Sequence, residues 1–249
     1  LIVTILFAFI LFWNILPNSL FDDPISTVVY DRDGALLGAR IAADGQWRFP
    51  GIDSVPAKYQ SALLLYEDKY FFYHPGVNLA SLFRALRQNL KAGDIVSGGS
   101  TITMQVMRMS RKNRARTITQ KLIESSLALR YEMSASKQQI LLDYTNNAPF
   151  GGNVVGIEAA AWRYFGTAPS NMTWSEATLL AVLPNAPSLI HPGKNRGLLK
   201  QKRDLLLQNL FEAGEIDEIT YSLAKEEPLP AKPLSLPDMT PHLTDKVML

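Results

Sequence analysis

A helix that is apolar nearly all round and runs into two consecutive carboxylates is the strongest constraint this chain carries. From Tyr59 on, Ala62, Leu63, Tyr66 and Tyr70 recur at helical spacing, while Leu64 and Leu65 cover the other sides. Such a helix is a buried one. Ser54-Val55-Pro56 reads as its start, with Ser54 as N-cap and Pro56 in the first turn. Glu67 falls at the edge of the apolar face, and Asp68 points roughly the opposite way. A carboxylate carried into a core is costly unless paired, and its pKa tends to rise. Raised carboxylates are what proton-transfer chemistry uses. The structural alternative for Glu67 is a helix-end acid paired with a nearby Arg or Lys.

The 249 residues are 47% hydrophobic and 19% charged, enough for one sizeable core or one domain with a smaller lobe. A net charge of +2 argues neither for nor against a polyanionic partner, and the absence of cysteine excludes disulfides and thiolate metal sites. Leu1 to Leu16 is apolar except for Thr4 and Asn14, and Pro17 ends it. As a helix this run reaches about 24 Å, short of the roughly 30 Å hydrocarbon core. Residues 1–17 are therefore expected to be a truncated membrane anchor; a signal-peptide core is the rival, without a small-residue cleavage site. Residues 18–52 read as a linker with a β-hairpin, Val28-Val29-Tyr30 and Leu36-Leu37 around the turn Asp31-Arg32-Asp33-Gly34. Backbone hydrogen bonding explains Asp31-x-Asp33 better than a metal pair does. Gln46 to Phe49 adds a second short extended piece. Ser54 to Leu210 reads as helices joined by short loops within a domain over 53–225, and 226–249, rich in proline, as an extended linker or a surface-hugging tail.

Within the helical part, Leu79 to Leu90 is amphipathic, with Leu79, Leu82, Phe83, Leu86 and Leu90 backed by Arg84, Arg87 and Lys91. Core packing or a membrane interface would use this pattern. Gly98-Gly99-Ser100-Thr101 opens the next helix, as a plain loop or a phosphate cradle. From Gln105 to Glu132 there are seven basic residues (Arg108, Arg111, Lys112, Arg114, Arg116, Lys121, Arg130) and two acids. They suit a solvated face or a diphosphate site; no nucleic-acid-binding motif accompanies them. Thr117 to Met133 continues as a helix with Ile118, Leu122, Leu129 and Met133 expected on its buried face, while Lys121 and Glu124 share a face. Ser134 or Ser136 caps the helix from Lys137, and Thr173-Trp174-Ser175-Glu176 is a capping box.

Five motifs stand in order: Glu67-Asp68-x-x-Phe71-x-x-His74-x-Gly76, Gly98-Gly99-Ser100-Thr101-Ile102-Thr103-x-Gln105, Lys121-x-x-Glu124, Tyr144-x-Asn146, and Gly156-Ile157-x-Ala159-Ala160-x-x-Tyr164-Phe165-Gly166. This set resembles the peptidoglycan glycosyltransferases, the membrane-bound module of class A penicillin-binding proteins, from about Val28 to the C-terminus. The resemblance implies a mainly α, lysozyme-like fold with a small membrane-associated lobe beside the N-terminal hairpin. It also implies polymerisation of lipid II into β-1,4-linked glycan on the outer side of the bacterial cytoplasmic membrane, with release of undecaprenyl diphosphate. The partners would be lipid II, the growing strand, the membrane and cell-wall synthesis proteins, with a transpeptidase domain beyond the proline-rich end.

By the same resemblance Glu67 is the general base and Glu124 a second essential carboxylate. Arg108, Arg116 and Lys121 face the diphosphate; Ser100, Thr101, Gln105, Asn146 and Arg203 line the cleft. A divalent cation, Mg or Mn, would assist without a dedicated cage. Two positions depart from the family pattern: Gln120 stands where Arg is usual, and Asn78 where Asp is usual. Ser134-Ala135-Ser136-Lys137 spells a transpeptidase Ser-x-x-Lys, but its partner motifs are absent. The alternatives are a lysozyme-like glycan-cleaving enzyme and a non-catalytic wall-binding scaffold.

Overall fold

The computed structural model describes residues 12–92, 98–113, 117–185 and 195–242. Arg116 and most of the apolar run lie outside them; among the described residues no helix is long and apolar enough to cross a membrane. Strands β1 (Thr27–Tyr30), β2 (Leu36–Arg40) and β3 (Trp47–Arg48) precede helix α1 (Ala57–Glu67). A 3-10 turn, Phe71–Tyr73, leads to α2 (Leu79–Ala92), α3 (Ile102–Ser110), α4 (Ile118–Glu132) and α5 (Lys137–Asn147). Then follow β4 (Val154–Val155), α6 (Ile157–Tyr164), α7 (Trp174–Val182), α8 (Arg196–Glu212) and α9 (Glu218–Glu226). The fold is mainly helical with an N-terminal hairpin, as the sequence implied. It forms two compact units interleaved along the chain: Leu1–Asp22 with Glu67–Tyr144, and Asp23–Tyr66 with Thr145–Leu249.

In the unit that carries the hairpin, β1 pairs antiparallel with β2, and Asp31 closes the turn by accepting the N–H groups of Asp33 and Ala35. Strand β3 pairs in parallel with β4. Helix α1 buries Tyr59, Ala62 and Leu63. It begins at Ala57 rather than after Ser54, because a residue before proline, here Val55, is pushed out of the helical region. The core comes from α6, α7 and α8, with Leu179, Leu180, Leu206, Leu207 and Leu210 nearly or fully buried. The expected capping box forms between Thr173 and Glu176. Beyond α9 the proline-rich segment hugs the surface of this unit. Arg196 donates to the carbonyls of Leu229 and Pro230, Arg163 and Leu234 bond reciprocally, and Met239 N–H reaches Leu37 O.

In the other unit α3 and α4 pack side by side. Thr101 caps α3 and Thr117 caps α4, each hydroxyl accepting a backbone N–H three residues on. The residues α4 buries are Glu124, Leu127, Ala128 and Tyr131. The expected face is thus reversed: Ile118, Leu122, Leu129 and Met133 are 83%, 66%, 39% and 61% exposed. Spacing says which residues share a side of a helix and leaves open which side the fold covers. On α2 the apolar side is also outward, with Leu79, Phe83 and Leu90 exposed and Ala85 buried. Asn78 caps this helix, its Oδ1 accepting Ser81 N–H, so the departure from Asp keeps a capping oxygen.

Candidate active site

Glu67 is the last residue of α1, and its Oε2 accepts a hydrogen bond of 2.7 Å from Gln105 Nε2 on α3. This partner is a neutral amide on the neighbouring helix. The amide fixes the carboxylate without adding a positive charge beside it.

Asp68 does not point outward as helical phase predicts. The helix ends one residue earlier, so the chain turns inward and Asp68 is 6% exposed. Its Oδ2 accepts the N–H of Ile102, and both its oxygens lie within 3.0 Å of His74 Nε2. Gly76 N–H donates to His74 Nδ1, so the ring proton sits on Nε2 and points at Asp68. The acidic partner of His74 lies six residues back across the turn. The start of α3 therefore already holds a carboxylate. It is not an open phosphate cradle, because Ile102 N–H goes to Asp68 and Met104 N–H to Thr101.

Two glycines are required here, Gly76 before α2 and Gly99 before α3. At Gly76 (φ +88°) a Cβ would lie 2.8 Å from Ala128 O, and at Gly99 (φ +53°) it would lie 3.0 Å from the Ala85 Cβ. Lys121 Nζ donates to Gly98 O, tying α4 to the loop before α3. Burial lowers the Lys121 pKa, and the charge of Glu124, one turn along, acts to raise it. Glu124 is 7% exposed, on the face of α4 that the fold covers.

The sequence-predicted site residues other than Arg116 all lie among the described residues. Glu67, Ser100, Gln105, Arg108, Lys121 and Glu124 fall in one unit, with Ser100 and Arg108 half-buried. Thr101 belongs there too but is no lining residue: it is buried, and its hydroxyl donates to Gly76 O while capping α3. Asn146 neither caps its helix nor presents a free amide. Its carboxamide brackets the backbone of Ile52, accepting the N–H at 3.0 Å and donating to the carbonyl at 3.1 Å. Arg203 is a correction as well. It is wholly buried, donating to Asp204, to Ser175 Oγ and to the carbonyls of Lys225 and Glu227. Among the described residues no three His, Cys, Asp or Glu side chains gather to hold a metal.

A family model described as Transglycosylase matches residues 35–211, well over half of the chain. The chain belongs to the transglycosylase family. The transglycosylase is 40% identical over 223 residues to Penicillin-binding protein 1C of Escherichia coli (strain K12), covering 89% of this chain and 29% of that protein. Identity to Penicillin-binding protein 1A of Pseudomonas aeruginosa is 38%, covering 82% and 24%. For Penicillin-binding protein 1A of Aquifex aeolicus it is 35%, covering 84% and 28%. The chain therefore spans under a third of the length of these relatives.

Two contacts were missed in the sequence: the Asp68–His74 pair and the bond from Arg111 to Gln120 Oε1. Both join residues across a turn or between helices, where periodicity carries no signal.

Proposed function

We propose that this transglycosylase joins lipid II units, with Glu67 as general base. Glu67 takes the proton from the 4-hydroxyl of the acceptor GlcNAc. The freed oxygen forms a bond to C1 of the donor MurNAc as the C1–O bond to the diphosphate breaks, with inversion at C1. The electron pair leaves on undecaprenyl diphosphate, where Arg108 and Lys121 offset the growing negative charge. Burial lowers the Lys121 pKa, and the Glu124 charge acts against that lowering. The observation that carries this reading is the bond from Gln105 to Glu67. It orients a carboxylate at a helix end, and α3, which supplies it, packs on α4, which bears Lys121 and Glu124. A divalent cation would be held by Glu124 on this side and would offset diphosphate charge when bound.

The outward apolar residues support a membrane-facing side for the Glu67–Tyr144 unit. Leu79, Phe83 and Leu90 on α2 accompany Arg84, Arg87 and Lys91, a mixture suited to anionic headgroups and the acyl boundary. Arg130, on α4, lies 4.4 Å from the ring of Trp13, near the end of the apolar run. The test of the chemistry is Glu67→Gln. An amide still accepts from Gln105 but takes no proton, so lipid II polymerisation should fall about 10²–10⁴-fold with the melting temperature kept. Turnover within threefold of the parent (about 0.7 kcal/mol) would remove Glu67 as the base. Strand cutting instead of growth would favour a glycan-cleaving enzyme.

A further inference from the structure

The bond between Arg111 and Gln120 brings a cation to the inner side of α4 that no motif assigns. Arg111 follows the last turn of α3, one turn past Arg108, and its backbone N–H closes the helix on the Arg108 and Met109 carbonyls. Its guanidinium donates from one terminal nitrogen to Gln120 Oε1 at 2.8 Å. Gln120 is itself fixed, since its N–H is held by the Thr117 cap. Gln120 and Glu124 are four residues apart on α4, so they share a side of the helix and stand about 6 Å apart along its axis. Lys121 lies between them in sequence. Arg111 is therefore docked on α4 one turn before Glu124, on the residue that precedes Lys121 in sequence.

The chemistry of the partner decides what this contact can do. A carboxylate at position 120 would pair with the guanidinium and cancel its charge. A neutral carboxamide oxygen orients the fork and leaves the full positive charge, with four further N–H donors. Arg111 is half-buried, so an oxyanion can reach it, and among the described residues no acid forms an ion pair with it. A guanidinium held by a neutral anchor on the residue preceding Lys121, itself a cation of α4, suits a dianionic diphosphate better than a single phosphate. We propose that Arg111 is a further anion-binding residue of the leaving-group side, oriented by Gln120 and supplying the cation that position 120 lacks. This rests on the assignment of Lys121 and Glu124 to that side.

The test is equilibrium binding of a polyprenyl diphosphate, and of the corresponding monophosphate, to the whole chain in detergent micelles. Four variants are compared: Arg111→Ala, Arg111→Gln, Arg111→Lys and Lys121→Ala. Loss of one charged contact should raise the diphosphate Kd about tenfold in Arg111→Ala. Arg111→Gln, which can still bond to Gln120, should lose as much because the charge is gone. Arg111→Lys should lose less, and the monophosphate should respond more weakly throughout. A purely structural Arg111 would instead be rescued by Gln. Parent-like diphosphate affinity in Arg111→Gln, alongside a weakened Lys121→Ala, would overturn the inference alone. If Lys121→Ala also bound like the parent, the assignment of the leaving-group side would fall and the inference with it.

Discussion

Replacing Arg203 tests whether a buried cation holds the fold or serves the substrate. All three guanidinium nitrogens are engaged: Nε and one terminal nitrogen on Asp204, the other on Ser175 Oγ and Glu227 O, with Lys225 O completing the set. The side chain has no exposed surface. Arg203→Met keeps most of the length and apolar contact but removes every donor. Two carbonyls and a hydroxyl then lose this donor, and the Asp204 carboxylate is left with Lys200. Breaking a buried charged network from one side costs about 3–5 kcal/mol. In a chain of this size each kcal/mol moves Tm by about 2–4 °C, so the variant should melt roughly 6–20 °C lower. The assay is thermal unfolding followed by circular dichroism, with polymerisation measured per folded molecule well below the new midpoint. That specific activity should match the parent. An unchanged Tm with lost polymerisation would refute the reasoning and put Arg203 back in contact with substrate.

Glu158 provides a pH test. Burial raises its pKa, while hydrogen bonds from Trp162 and Tyr30 act to lower it. A raised carboxylate binds its proton more tightly folded than unfolded, so its contribution to stability falls as pH climbs from the ordinary glutamate value through the folded one. Glu158→Gln keeps an acceptor for Tyr30 and Trp162 and lacks that loss. Its Tm relative to the parent should therefore be higher at about pH 7.5 than near pH 4, and a pH-independent difference would contradict the assignment. For the membrane-facing side, Phe83→Asp and Leu122→Asp should each weaken partitioning into anionic vesicles by several-fold, since each places a charge on an exposed apolar face. Unchanged partitioning of the double variant would remove that face from contact with lipid.

What the sequence alone determined was local and ordered. The Thr173–Glu176 box, the cap at Ser136, the Asp31 turn and the helix over Leu79 to Leu90 all depend on neighbours a few residues away, and the structure has each. The family was legible because five motifs keep their order and spacing. Tertiary structure decided which sides are covered and where polar groups find partners. Helix α4 turns Glu124 inward and Ile118 outward, although both orientations fit the same periodicity. Asp68 is drawn in to His74 and the start of α3, Asn146 is spent on Ile52, and Arg203 disappears beneath the segment after α9. A buried polar atom must find a partner wherever the fold supplies one, and that partner often lies far away in sequence.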